Sequence, residues 1–275
     1  MMFHLQGPFV FSIALLVLSG CCLIFFIAVA YIVECRLPTG QPSLGSEKLK
    51  ERAKASDFSD DRKLVKALSR RLNSRQESLQ QMTCRLEGDR DTSSTGGWCS
   101  QATKTQHVCD EPLAAALAHF FAGRTVVSLG DGPGEYRRRI LATGLVAGYD
   151  AFDGAPSSAN ATNGRVRFID LTLPQYWLPE YDWVMSLEVA EHVPAEYEST
   201  LVDNLARPAR EGIVFSWATP GQGGFHHVNE RPPQYVEELM RHRGFRRDAN
   251  ASQSLRDVAT LGWLKSNINV YYRIH

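Results

Sequence analysis

The pattern of hydrophobic and polar positions begins with an uncharged apolar run. Residues 9–33 carry no charged side chain. At about 1.5 Å per residue, a helix of that length reaches roughly 37 Å and crosses a bilayer core with some tilt. Lys and Arg are absent from residues 1–8, whereas a cleaved signal peptide begins with a basic segment. The pattern predicts a retained signal anchor, a transmembrane helix within residues 1–36, with a cleaved signal peptide as the alternative.

A linker and a helical stem are predicted over residues 37–97. The first part, residues 37–59, is polar and contains Pro, Gly and Ser, which is typical of a linker. Residues 60–88 have apolar side chains on a 3-4 spacing that Arg75 interrupts, which predicts a stem helix, either solvated or dimerising. Residues 88–97 are predicted to form a flexible boundary. The apolar positions of the stem are Val65, Leu68, Leu72, Leu79, Met82 and Leu86.

Strand-like and helical patterns alternate over residues 98–275. This alternation predicts an α/β domain with an open, mainly parallel sheet and helices on both faces. Ligands of such sheets bind beyond the carboxyl ends of the strands, so functional residues are expected just after each strand. The predicted strands are Thr125–Leu129, Tyr149–Asp153, Arg165–Asp170, Trp183–Leu187, Gly212–Ala218 and a final pair that includes Asn267–Ile274. The predicted helices are Glu111–Ala122, Glu135–Ala142, Pro194–Leu205 and Pro233–Arg243.

Charge and cysteines bear on partners and on the membrane side. Lys+Arg 30 against Asp+Glu 30 gives no basic excess, so nothing in the composition indicates a nucleic-acid partner. Basic residues follow the apolar run and none precede it, which favours a cytosolic domain. Sequons at Asn160 and Asn250, and a disulfide between Cys99 and Cys109, would instead fit an oxidising lumen. The membrane side therefore stays open, between the cytosol and the lumen.

A glycine loop follows the first predicted strand. Gly130, Gly132 and Gly134 allow a sharp turn and a close approach to a ligand, at which the next helix points its positive end. The spacing is G-x-G-x-G. A dinucleotide fingerprint needs a further glycine at the position of Glu135, so an NAD-dependent oxidoreductase is disfavoured.

Acidic residues end the next two predicted strands. Asp153 lies about 20 residues after the loop, where an acid binds ribose hydroxyls, and Asp150 is the alternative in a shorter register. Asp170 ends the third strand, where a carboxylate can accept a hydrogen bond from an adenine amino group. Three strand-end features in this order predict a nucleoside-containing cofactor.

These motifs resemble those of class I S-adenosylmethionine-dependent methyltransferases over residues 126–274. The loop at 130–134 resembles the family's first motif, and Asp153 and Asp170 resemble its ribose and adenine acids. The segment Asp182–Val193 is similar to the fourth motif of the small-molecule branch. The family usually has an acid where this chain has Ser128, and Asp131 is the residue expected to compensate.

The resemblance implies a Rossmann-like, seven-stranded, mainly parallel sheet and S-adenosylmethionine as the cofactor. Together with the anchor that the apolar run predicts, it implies a membrane-anchored enzyme that transfers a methyl group to an unidentified acceptor. The implied cofactor-binding residues are Gly130, Asp131, Gly132, Gly134, Asp153, Asp170, Leu171, Leu187 and Glu188.

Candidate reaction residues follow the fourth and fifth predicted strands. The segment Glu188-x-x-Glu191-His192 and a glycine-rich loop with His226 and His227 resemble ubiquinone-pathway O-methyltransferases and small-RNA 2′-O-methyltransferases. This resemblance implies Mg²⁺ or Mn²⁺ on Glu188, Glu191, His192 and His226, with His227 as the alternative to His226. In the alternative, His192, His227 and Glu191 are catalytic residues, and a histidine acts as the general base without a metal.

Two other classes of function compete with methyl transfer. A methyltransferase-like scaffold that binds a partner without chemistry is favoured by Ser128 and disfavoured by Asp153 and Asp170. A Golgi glycosyltransferase has the same anchor, stem and domain layout, but the one Asp-x-Asp segment, Asp89–Asp91, lies in the predicted boundary.

Overall fold

The computed structural model describes residues 46–86, 91–99 and 107–274, with the backbone alone described for 46–58. A compact unit runs from Ser59 to His275. The predicted anchor within residues 1–36 lies outside the described residues. In the described segments, no helix is both long enough and apolar enough to cross a bilayer.

Helices and strands alternate along most of the described chain. The helices are α1 (Ser46–Leu86), α2 (Glu111–Phe120), α3 (Glu135–Ala142), α4 (Ser158–Ala161), α5 (Glu198–Ala206), α6 (Pro233–His242), α7 (Ala249–Val258) and α8 (Gly262–Asn267). The strands are β1 (Thr125–Leu129), β2 (Gly148–Asp153), β3 (Arg167–Phe168), β4 (Tyr181–Ser186), β5 (Ala209–Phe215), β6 (Phe245–Asp248) and β7 (Asn269–Arg273). Short 3₁₀ turns lie at Ala190–His192 and Ala195–Tyr197.

The strands form one seven-stranded sheet in the order β3-β2-β1-β4-β5-β7-β6. The first five strands run parallel, and β7 is antiparallel to both of its neighbours. This arrangement confirms the predicted Rossmann-like, mainly parallel sheet. It brings the carboxyl ends of β1, β2, β3 and β4 to one edge, where the glycine loop and the predicted acids follow.

The central strands are apolar because helices cover both faces of the sheet. Val127 and Leu129 of β1 belong to an apolar cluster with residues of α5 and α6. Val126 belongs to a second cluster with residues of α2, α3, α7 and α8. Alternate residues of a strand point to opposite faces, so the two clusters are the two layers of the core.

Strand β3 has two residues, whereas the sequence predicted a strand from Arg165 to Asp170. From Phe168 onwards, a side chain of α1 bonds to backbone groups that a further strand would otherwise pair with. Asn73 of α1 donates from Nδ2 to Phe168 O (3.1 Å), and its Oδ1 accepts from Asp170 N (2.9 Å). The amide of Asn73 therefore replaces a neighbouring strand at this edge of the sheet.

Helix α1 packs on the sheet domain through polar residues, not through its apolar stripe. Ser69, Asn73 and Gln80 are buried, whereas the six apolar stem positions are exposed, up to 82% at Leu86. The helix begins at Ser46, so the prediction of a linker up to residue 59 is wrong. Whether the exposed stripe dimerises stays a prediction.

Residues 91–99 form a hairpin, closed by a bridge between Thr92 and Trp98. The prediction of a flexible boundary is therefore wrong for residues 91–97. A disulfide joins Cys99 to Cys84 of α1, and Cys109 has a free thiol, so the expected pairing of Cys99 with Cys109 is also wrong. We call residues 91–99 the roof hairpin, because Gly97 lies against Gly154 after β2 and Gly96 lies against His192 after β4.

Candidate active site

A cavity of about 610 Å³ lies at the carboxyl ends of the parallel strands, beneath the roof hairpin. Its volume is within the usual range for cofactor-sized ligands. Most of the predicted cofactor and reaction residues line it. They are Gly130, Gly132, Asp153, Asp170, Leu171, Leu187, Glu188, His192 and His227.

The glycine loop has the backbone conformation that its sequence predicts. Gly130 (φ 99°) and Gly132 (φ 57°) are in the left-handed region, which favours glycine. A Cβ at Gly130 would overlap Val189, and one at Gly132 would overlap the imidazole of His107. Gly134 instead precedes α3 and faces Val166, so its role is to begin the helix.

Asp153 is tied to the glycine loop. Its Oδ2 accepts from Gly132 N (2.7 Å) and its Oδ1 accepts from Ala155 N (2.8 Å). Burial raises the pKa of the carboxyl, against the effect of these amides and of His107. The carboxylate borders the cavity with lone pairs still available to a ribose.

Asp131 does not replace the missing acid at Ser128. Its side chain is buried behind the loop, where Oδ1 accepts from Tyr149 Oη (2.9 Å) and Oδ2 from Arg137 N (3.3 Å). Its amide donates to Phe152 O (3.0 Å). The prediction that Asp131 contacts the cofactor is corrected, because both its carboxylate and its N–H are engaged elsewhere.

Asp170 lies two residues beyond β3 and is held by three donors. Its Oδ1 accepts from the backbone N (2.8 Å) and Oγ1 (2.6 Å) of Thr172. Its Oδ2 accepts from Gln80 Nε2 of α1 (2.8 Å). These three hydrogen bonds hold the carboxylate at the end of the cavity where the sequence predicted the adenine.

His107 is a site residue that the sequence did not indicate. It borders the cavity and packs on Gly132. Burial lowers the pKa of its imidazole, while the Asp153 carboxylate opposes that effect. A lone histidine before α2 belongs to no motif, so only the fold shows that it meets the glycine loop.

On the reaction side, three of the candidate residues converge. The 3₁₀ turn after β4 carries Glu191 and His192, and the glycine-rich loop after β5 carries His227. One potential ligand atom from each residue lies within 4.8 Å of the others. Each of the three offers a donor atom that Mg²⁺, Mn²⁺ or a similar cation accepts.

Burial favours the uncharged forms of Glu191 and His192 in this cluster. Glu191 is fully buried, and among the described residues neither of its carboxylate oxygens meets a hydrogen-bond donor. Burial, together with nearby Glu188, raises the pKa of Glu191 well above its ordinary value. Burial lowers the pKa of His192 to about 4, so this imidazole is neutral at pH 7.

His227 takes the place in the cluster that was predicted for His226. His227 Nδ1 lies 3.1 Å from Glu230 Oε1, which leaves Nε2 facing Glu191 Oε1 at 4.0 Å. A carboxylate behind an imidazole in this way typically orients a metal-binding histidine. His226 instead points outward, with Nε2 3.6 Å from Asp91 Oδ2, so its prediction as a ligand is corrected.

Glu188 borders the cavity but is engaged by amides. Its Oε1 accepts from Asn267 Nδ2 (2.7 Å) and its Oε2 accepts from Gln222 Nε2 (2.9 Å). Its backbone is in the left-handed region, at φ 54°, a strained conformation that is found preferentially at functional sites. The prediction of Glu188 as a metal ligand is corrected, because the group of potential ligand atoms that lie close together comprises Glu191, His192 and His227 and does not include Glu188.

Aromatic rings border the outer part of the cavity. Trp98 of the roof hairpin is edge-on to His192 (5.3 Å between centroids) and to Phe225 (5.6 Å). These rings shield the Glu191–His192–His227 cluster from solvent on that side. An acceptor that enters here meets an apolar wall opposite a polar cluster.

No family model matches the chain. No curated protein matches it either. Among solved structures, it is similar to magnesium protoporphyrin IX methyltransferase (ChlM) from Synechocystis PCC 6803, at 15% identity and TM-score 0.45, covering 59% of this chain and 83% of that one. It is also similar to the N-methyltransferase NodS from Bradyrhizobium japonicum WM9, at 11% identity and TM-score 0.42, covering 60% and 85%. Similarities this low leave the acceptor open.

The fold of the protein is defined by its own sheet and by the positions of the site residues. The strand order, the glycine loop after β1 and the acids after β2 and β3 give the Rossmann-like fold of class I methyltransferases. The fold that the motifs implied is thereby confirmed.

Proposed function

We propose that the protein transfers a methyl group from S-adenosylmethionine to an acceptor that enters beside the Glu191–His192–His227 cluster. The observation that carries this proposal is that one cavity is lined by the glycine loop, by Asp153 and Asp170, and by His192 and His227 of that cluster. The cofactor's sulfonium supplies the reactive methyl group. The chain's own residues bind the nucleoside, align the acceptor and exclude water.

We further propose that the cluster holds a divalent cation. The donor set of one carboxylate and two imidazoles fits such an ion, and neutral His192 has a lone pair to offer. Both oxygens of buried Glu191 lack a hydrogen-bond partner among the described residues, and a cation would displace the proton of this carboxyl and pair with the carboxylate. The ion would supply a positive charge that favours the deprotonated form of an acceptor hydroxyl.

Calorimetry with S-adenosylmethionine and with NADH tests the cofactor. The protein should bind S-adenosylmethionine with a dissociation constant on the order of micromolar, or about −8 kcal/mol. NADH should not bind, because the loop lacks the third glycine of a dinucleotide fingerprint. Tight binding of NADH with no response to S-adenosylmethionine would overturn the proposal.

The cation is tested by titrating Mn²⁺ into the protein and by chelation once an acceptor is found. Glu191→Gln and His227→Gln should each abolish Mn²⁺ binding, whereas His226→Gln should retain it. Activity should vanish with a chelator and return with Mg²⁺ or Mn²⁺. If the chelator has no effect and the rate rises with pH through about 6.5, a histidine acts instead as the general base.

The second candidate function is that of a methyltransferase-like scaffold, which binds a partner without catalysing a reaction. The buried Ser128 and the engaged Asp131 leave the methionine amino group without its usual acid. A protein that binds S-adenosylhomocysteine but transfers no methyl group from S-adenosylmethionine to any tested acceptor would favour this candidate. Methyl transfer, with or without a cation, would favour the enzyme.

We propose that the domain lies in the lumen of the secretory pathway, behind a membrane anchor within residues 1–36. The Cys84–Cys99 disulfide suits an oxidising compartment. The sequon residues Asn160 and Asn250 are both exposed, as glycan carriers must be. These features outweigh the basic residues after the apolar run, which favour the opposite side.

A further inference from the structure

A residue of α1, outside the sheet domain, bonds to the acid that lines the adenine side of the cavity. Gln80 is 3% exposed. Its Nε2 donates to Asp170 Oδ2 (2.8 Å) and to Thr95 Oγ1 of the roof hairpin (2.6 Å). One amide group therefore joins α1, the roof hairpin and the predicted adenine acid.

Helix α1 also fixes the backbone that carries this acid. Asn73 Oδ1 accepts from Asp170 N (2.9 Å) and from Gln175 Nε2 (3.1 Å). Gln175 Nε2 in turn donates to Asp170 O (2.5 Å). Both the main chain and the carboxylate of Asp170 are thus positioned by residues that lie about two turns apart on α1.

Gln80 has one polar atom without a partner. Among the described residues, its Oε1 is buried and meets no donor. This oxygen lies 3.3 Å from the place of a Cβ on Gly97, a residue that lines the cavity. An unpaired buried carbonyl is unfavourable, and a ligand N–H on this side would satisfy it.

We propose that Gln80 is a positioning residue for the cofactor's adenine and that, through Asp170, it selects a purine with a 6-amino group. An exocyclic amino group donates hydrogen bonds, and the Asp170 carboxylate, which Gln80 holds at the cavity, is an acceptor for it. The inference rests on the proposed function, because it takes S-adenosylmethionine as the ligand. It makes α1 a part of the cofactor site and not a spacer.

The test compares S-adenosylhomocysteine with an analogue that has hydrogen in place of the 6-amino group, using calorimetry on the full chain. The unchanged protein should prefer S-adenosylhomocysteine. Gln80→Leu should weaken that ligand by roughly 10- to 150-fold, the range for hydrogen bonds to a charged group, and leave the analogue unaffected. Gln81→Leu is the matched control, since Gln81 Nε2 donates to Pro156 O (2.8 Å) and makes no contact with Asp170.

A second variant keeps the inference testable if Gln80→Leu does not fold. Gln80→Glu keeps the side chain's size but turns a carboxylate towards Asp170, so it should also abolish the preference. The inference is overturned if the preference survives both changes, or if both ligands weaken equally, as a purely structural role requires. A protein that binds neither ligand contradicts the proposed function and this inference with it.

Discussion

Asp153 gives the most direct residue-level test of the cofactor site. Asp153→Ala removes a charged acceptor for the ribose and should weaken S-adenosylmethionine by about 1.5 to 3 kcal/mol, roughly 10- to 150-fold. Asp153→Asn keeps an acceptor and should lose less. Both are measured by calorimetry on preparations with matched melting curves, because Gly132 N and Ala155 N also bond to this carboxylate. Unchanged affinity in a folded Asp153→Ala protein would exclude the ribose role.

Asp131 should make the stability of the domain depend on pH. Burial raises the pKa of its carboxyl to about 7, against about 3.9 in an unfolded chain. The folded state then binds the extra proton, so the contribution of Asp131 to stability falls as pH rises from about 4 to about 7 and is level above that.

Asp131→Asn tests this dependence, because it cannot ionise and still offers Tyr149 an acceptor. The unfolding free energy of Asp131→Asn, measured in urea, should increase relative to that of the unchanged protein as the pH rises from 5 to 8. The exposed Asp257 supplies the control, and Asp257→Asn should run parallel to the unchanged protein. If the unfolding free energies of Asp131→Asn and of the unchanged protein change with pH in the same way, the raised pKa of Asp131 is contradicted.

The sequence predicted those site residues that depend on local geometry. Gly130 and Gly132 follow a strand and need left-handed backbone, and Asp153 and Asp170 follow the next two strands. The choice between His226 and His227 was not predictable, because it depends on which way a glycine-rich loop turns each side chain. His107 and Gln80 were missed because they reach the cavity from elements far away along the chain.

At the scale of elements, the Cys84–Cys99 disulfide should stabilise the roof hairpin. The two cysteines are 15 residues apart, and closing a loop of that length contributes about 3 kcal/mol. Cys84→Ala/Cys99→Ala should therefore lower the unfolding free energy and weaken S-adenosylmethionine, because the hairpin lies over the cavity. Chemical denaturation and calorimetry measure both effects.

The free thiol provides the control for this prediction. Cys109→Ala should leave both measurements close to those of the unchanged protein, since Cys109 has no disulfide partner. If Cys109→Ala lowers the unfolding free energy and the affinity as much as the double change does, the assigned pairing is contradicted.

Helix α1 shows where hydrophobic patterning is misleading. Its 3-4 spacing predicts a helix, and the helix is present. The same spacing directed attention to the apolar stripe, whereas Ser69, Asn73 and Gln80 make the contacts with the sheet domain. Polar side chains bond to specific backbone groups of a partner surface, and such matches leave no periodic signal in a sequence.

At the scale of the whole molecule, the proposed luminal location is tested through the sequons. A luminal domain should have glycans on Asn160 and Asn250, so a glycosidase should increase its electrophoretic mobility. Asn160→Gln and Asn250→Gln should each remove one step of that shift. Asn163→Gln is the control, because Asn163 is exposed and belongs to no sequon.

The sequon hydroxyls decide which variants are informative. Thr162 Oγ1 donates to Ser158 O (2.7 Å) and accepts from Val166 N (2.9 Å), and Ser252 Oγ accepts from Val270 N (2.9 Å). Replacing these hydroxyls would disturb the fold as well as the sequon, so the asparagine variants are the cleaner test.

Carbonate extraction should leave the protein in the membrane pellet, and protease should spare the domain in intact microsomes. A glycosidase-insensitive domain that protease digests in intact microsomes would place it in the cytosol, as the basic residues after the apolar run predict.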